Sequence, residues 1–196
     1  MKTKSFILTT LCSALLLACI SKEKKETTEV YEPAVVKEEA VDPVKRGEHL
    51  VNAIGCHDCH TPKKFTENGM ELDFERLLSG HPADEVLPPY DETTAKSYLL
   101  FNMGLTAATG PWGTSFGANL TPDETGIGSW TETQFLTAIK KGLYKGMEGS
   151  RPLLPPMPWQ SYKNLPDDDL KAIFAYLKTI RPIENLVPSN IPPKMN

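Results

Sequence analysis

Basic excess is missing from this 196-residue chain: 21 lysines and arginines stand against 25 aspartates and glutamates, a formal charge of −4. Phosphate backbones are bound through basic faces, so this balance argues against nucleic acid as a partner. Also missing is an apolar run long enough to cross a bilayer as a helix. The stretch from Phe6 to Leu17 falls well short of the roughly 20 residues required. Cysteine is scarce. Of the four, Cys12 and Cys19 lie in or just after that apolar run, which leaves Cys56 and Cys59 and no thiols for a disulfide framework. Histidine is equally sparse at four residues, and His49 and His81 are too scattered to complete a zinc site with a second ligand pair. A βαβ alternation, the usual setting of a redox-active Cys-x-x-Cys pair, is absent as well.

What is present is Gly55-Cys56-His57-Asp58-Cys59-His60. Two cysteines separated by two residues can add through sulfur to both vinyl groups of one haem, while the histidine that follows takes the iron. The motif reads as an attachment site for one covalent haem c, held by Cys56 and Cys59, with His60 as the proximal ligand. Pro62 is expected to offer its carbonyl to the other imidazole nitrogen of His60. His57 is expected to face solvent, and His49 and His81 to lie on the surface.

Lys2 and Lys4, the apolar run and Ala18 before Cys19 have the order of a secretory signal. Leu16-Leu17-Ala18-Cys19 resembles the bacterial lipobox, which implies removal of residues 1–18 and acylation of Cys19. Residues 19–41 are poor in aromatics and without period, and read as a flexible tether with a reach of roughly 25 Å. The expected location is the cell envelope of a Gram-negative bacterium, lipid-anchored and facing the periplasm. Ile20 and Ser21 slightly favour the outer membrane.

The haem domain is expected over 42–182, followed by a carboxy-terminal extension over 183–196. Asp42-Pro43 can start a helix, and Gly47, Leu50, Val51 and Ile54 share its apolar face. Leu170, Ile173, Phe174, Leu177 and Ile180 form a matching stripe on a helix over 167–180, with three aspartates in its first turn. Gly47 on the apolar face predicts a close crossing of these two. Thr131-Glu132-Thr133-Gln134 is a capping box for a third helix ending near Gly142. Between Thr61 and Trp130 strand signals are weak, and one helical candidate covers about 93–103. The expected fold is all-α, with a long loop-rich insertion.

Met70, Met103, Met147 and Met157 compete for the sixth iron position. Met157 is favoured because Pro155, Pro156 and Pro158 restrict its backbone and lower the entropy lost in holding a thioether at one point. Trp112, Asn119, Trp130 and Trp159 are expected to wall the haem, with Asn119 or an indole N–H reaching a propionate.

The helix carrying Gly47, the Cys56–His60 motif, the Met157 loop and the terminal helix resemble a class I c-type cytochrome. Gly110-Pro111-Trp112-Gly113, Ala118-Asn119-Leu120-Thr121-Pro122-Asp123 and Arg151 to Trp159 further resemble a bacterial subgroup related to cytochrome subunits of quinoprotein alcohol dehydrogenases. The resemblance spans about 43–193 and implies amino- and carboxy-terminal helices crossing near the haem. It implies one-electron transfer between redox donor and acceptor proteins, such as a quinoprotein dehydrogenase or a terminal oxidase, rather than enzyme activity. Those subunits usually carry several haem motifs, whereas this chain has one. The rival class is a haem sensor or small peroxidase with an open or displaceable sixth ligand.

Overall fold

A computed structural model describes residues 42–193; the signal segment, Cys19 and the tether lie outside the described residues. Helix α1 spans Pro43–Ala53, and the Asp42 carboxylate accepts from the Val44 amide at 2.9 Å. Helix α6 spans Asp167–Leu177, ending three residues before the expected 180, with the three aspartates at its amino end. The two helices cross at Gly47. A Cβ there would lie 1.9 Å from the Ala172 carbonyl oxygen and 2.8 Å from Tyr176 Cβ, so any side chain would force the helices apart. Beside the crossing, Arg46 Nε and Nη2 donate to the two carboxylate oxygens of Asp169 at 2.8 and 3.0 Å.

Helix α4 (Glu132–Lys141) carries the expected capping box: Thr131 Oγ1 accepts from the Gln134 amide, and Gln134 Oε1 from the Thr131 amide. Its Phe135 meets Phe174 of α6 with ring centroids 5.2 Å apart. These rings join Leu50, Val51, Leu78, Ile127, Ile139, Leu170, Ile173 and Leu177 in one apolar core. Two short helices, α2 (Cys56–His60) and α5 (Trp159–Tyr162), lie against the rim of that core.

The all-α expectation is overturned: the described residues contain six helices and two antiparallel sheets. One sheet pairs β1 (Lys63–Thr66) with β2 (Gly69–Leu72); the other orders β3 (Leu100–Phe101), β4 (Ala107–Gly110) and β5 (Gly113–Phe116). Strands of two to four residues are too short to show an alternating pattern. Strand β4 has none to show, because all four of its residues are buried. The helix expected over 93–103 is also corrected. Helix α3 covers only Glu92–Ala95, and Leu100 and Phe101 leave to pair with Thr109 and Ala108.

Residues beyond 182 return to the body of the fold. Thr114 and Ile191 exchange backbone hydrogen bonds at 2.8 and 2.9 Å. Asn185 Nδ2 donates to the Ser79 and His81 carbonyls at 2.7 and 2.8 Å.

Candidate haem-attachment site

Helix α1 ends at Ala53 with Ile54 as its cap, and Gly55 turns the chain into α2. Cys56 and Cys59 are three residues apart on this helix and therefore share a face. Both are half-buried free thiols, and Cys56 packs on the apolar core. Burial pushes the Cys56 thiol up to about 11 and raises Cys59 as well, so both are protonated at neutral pH.

His60 Nδ1 lies 2.8 Å from the Ala118 carbonyl oxygen. A carbonyl can only accept, so Nδ1 carries the proton and Nε2 keeps its lone pair for a metal. Burial is the main cause holding the imidazole below its ordinary value, which keeps it neutral. This corrects the expected partner, because the Pro62 carbonyl accepts from the Asp73 amide at 2.9 Å instead. Ala118 is held in place from both sides. The Gly117 amide donates to the Thr106 carbonyl at 2.7 Å, the Gly117 carbonyl accepts from the His81 amide at 2.9 Å, and the Leu120 amide donates to the Leu78 carbonyl at 2.9 Å. Gly117 also passes directly against α2: a Cβ there would lie 2.1 Å from the Cys59 carbonyl oxygen. Only a residue without a side chain lets Ala118 come so near His60.

Two further side chains brace α2. Lys63 Nζ donates to the carbonyls of His57, Asp58 and Thr61 at 3.2, 2.9 and 2.5 Å, satisfying acceptors that a helix end leaves open. His57 is half-buried rather than solvent-facing. The Leu78 amide donates to Thr61 Oγ1 at 2.9 Å, leaving the threonine hydroxyl proton for His57 Nδ1 at 3.0 Å. The other ring nitrogen then donates to Asn52 Oδ1 at 3.0 Å. His49 is exposed as expected, but His81 is fully buried, with Nδ1 2.8 Å from Thr106 Oγ1 and its ring against Phe116.

Met157 packs on the same apolar core as Cys56, whereas Met70, Met103 and Met147 are 45, 72 and 54% exposed. Its loop is anchored by Ser115 Oγ, which donates to the Pro155 carbonyl at 2.5 Å. Trp130 packs on the core, and the Trp159 indole lies flat against Gly142. Trp112 folds back over Gly110 and directs its indole N–H to Ser115 Oγ at 3.3 Å. Asn119 is buried, and Nδ2 donates to the Ile183 carbonyl at 2.8 Å and to Thr125 Oγ1 at 3.2 Å, so its amide hydrogens are committed within the fold.

The donor set fits a covalent haem: two thiols on one helical face, an imidazole with Nε2 as acceptor, and a half-exposed apolar rim. Ile54, Leu77, Leu120, Trp130, Leu136, Met157 and Tyr162 form that rim around the core. Tyr162 escaped the sequence reading, since a single tyrosine in a four-residue helix carries no periodic signal.

These residues make up a candidate haem-attachment site, and comparison with known proteins bears on the class. No family model matches the chain. It is 34% identical over 134 residues to the gluconate 2-dehydrogenase cytochrome c subunit of Pantoea cypripedii, covering 68% of this chain and 22% of the relative. It is 29% identical over 143 residues to the fructose dehydrogenase cytochrome subunit of Gluconobacter japonicus, covering 72% and 22%. With a nicotinate dehydrogenase component of Pseudomonas putida, 38% identity extends over 90 residues, 45% of this chain and 7% of the relative. The chain thus spans about a fifth or less of the length of these relatives. It is a c-type cytochrome related to the cytochrome subunits of dehydrogenases.

Proposed function

We propose that the chain would hold one haem c through thioether bonds from Cys56 and Cys59, with His60 Nε2 and the Met157 sulfur as ligands to its iron. The reading rests chiefly on one observation: His60 is fixed by the Ala118 carbonyl in the tautomer that leaves Nε2 for iron, beside two thiols on one helical face. The single motif supports one haem. Of the four candidate methionines, Met157 packs against the apolar core that Cys56 also touches, while the other three are exposed, which supports it as the second ligand. Bound haem supplies a one-electron Fe(III)/Fe(II) couple, and histidine with methionine sets it at a higher potential than two nitrogen ligands. The protein's own part is to fix the imidazole, exclude water with the apolar rim and hold the thioether ready. Trp130 contributes apolar wall; Trp112 and Trp159 support the hairpin and the methionine loop.

Oxidised haem with a thioether ligand shows a weak far-red charge-transfer band. That band is expected in the purified protein and is lost in Met157→Ala; a variant that keeps it assigns the sixth position to another residue. Rapid carbon monoxide binding to the reduced native protein would instead favour a sensor or peroxidase.

The partner is an oxidoreductase of the dehydrogenase or terminal oxidase kind. Support comes from the relatives, which are cytochrome subunits of gluconate and fructose dehydrogenases. The lipobox-like Leu16 to Cys19 supports a lipid anchor on Cys19 in a Gram-negative cell envelope, facing the periplasm and favouring the outer membrane. Mass spectrometry of the mature amino terminus is expected to find acylated Cys19; an unmodified residue there removes the anchor.

A further inference from the structure

Tyr162 sits five residues after Met157, on a helix of a single turn that is pinned at both ends. At its start the Pro158 carbonyl accepts from the Ser161 and Tyr162 amides at 2.9 and 3.2 Å, while the Trp159 indole is wedged against Gly142 of the α4 terminus. At its end the Tyr162 hydroxyl donates to the Ile54 carbonyl at 2.6 Å, across 108 residues of chain. Ile54 is the cap of α1, two residues before Cys56. Ile54, Cys56, Met157 and Tyr162 all pack on one apolar core. The methionine segment and the attachment segment are therefore joined through one side-chain hydroxyl.

We propose that Tyr162 is a positioning residue for the sixth iron ligand, its hydroxyl fastening the Met157 segment to the backbone that enters the haem motif. This rests on the reading of Met157 as that ligand. A thioether is a weak, neutral donor, so its occupancy depends on how firmly the protein presents it. A loop tied only at Pro155 and Trp159 has more conformations in which the sulfur is away from its site. The Tyr162 bond removes many of them. Burial raises the Tyr162 hydroxyl above its ordinary value, so it remains a donor throughout the neutral range.

Tyr162→Phe deletes the hydroxyl and keeps the ring that packs on the core. Imidazole added to the oxidised holoprotein can bind only where the thioether has let go, so its apparent affinity reports the open population. Loss of one ordinary hydrogen bond corresponds to a roughly fivefold larger open population. Imidazole should accordingly abolish the far-red band in Tyr162→Phe at a roughly fivefold lower concentration than in wild type. A tyrosine that only stabilises the fold would lower the melting temperature and leave the imidazole titration unchanged, which overturns the proposal. Met157→Ala, measured alongside, separates the two ideas. If it lacks the band while Tyr162→Phe titrates like wild type, only the role of Tyr162 fails. If it keeps the band, the ligand assignment fails and the role of Tyr162 with it.

Discussion

His81 is enclosed completely, bonded at Nδ1 to Thr106, and its Nε2 has no hydrogen-bond partner among the described residues. Burial is the dominant influence on it and lowers its pKa from the ordinary 6.5, against the weaker opposing pull of Glu85 and Asp84. The sign follows directly. Below the unfolded value the unfolded chain takes up a proton that the folded chain refuses, so stability is complete above that pH and declines as pH falls toward the folded value. The slope from this one group is at most about 1.4 kcal/mol per pH unit. Urea unfolding of wild type between about pH 7 and pH 5 should show that decline, and His81→Asn should show less of it. Equal slopes would mean that the imidazole is protonated inside the fold. The consequence reaches the haem site, because the His81 amide holds Gly117 immediately before Ala118.

Among the elements, the α1–α6 crossing invites the most direct test. On an exposed helix, Gly→Ala gains about 1 kcal/mol. At Gly47 the added methyl meets the Ala172 carbonyl oxygen at 1.9 Å, where backbone cannot yield as a flexible side chain would. Overpacking of this kind costs about 1–3 kcal/mol, so Gly47→Ala is expected to lower stability by up to about 2 kcal/mol net. A raised urea midpoint would show that the helices are not in close contact.

The elements legible from sequence were those whose signals are local. Asp42-Pro43, the Thr131 capping box and the leucine stripe of α6 each announce a helix within a few residues, and each helix formed. The sheets were hidden for the opposite reason. Strands β3 and β4 find each other across Asn102 to Thr106, and their content is set by pairing rather than by a pattern of their own. The site divides the same way. Cys56, Cys59 and His60 are contiguous chemistry, whereas the acceptor that orients His60 is a backbone carbonyl 58 residues away. A main-chain oxygen has no residue type, so the motif could suggest only its nearest neighbour, Pro62. Lys63 and Tyr162 likewise act on main-chain carbonyls, at α2 and at Ile54.

At the scale of the whole molecule, the haem motif is surrounded by contributions from nearly the full described length. Helix α6 closes over α1, the Met157 loop lies on the core, and Asn119 and Asn185 stitch residues 183 and beyond to the segment behind His60. In the carboxy-terminal extension, Ile183, Asn185 and Ile191 are bonded into the body. Such long-range closure has a bearing on the order of events as the chain is made. Helix α1 has no partner until α6 has emerged more than a hundred residues later, and contacts of that separation form late because loop closure must come first. The crossing at Gly47 thus joins the two ends of the described chain, and α1 gains its partner only once α6 is in place.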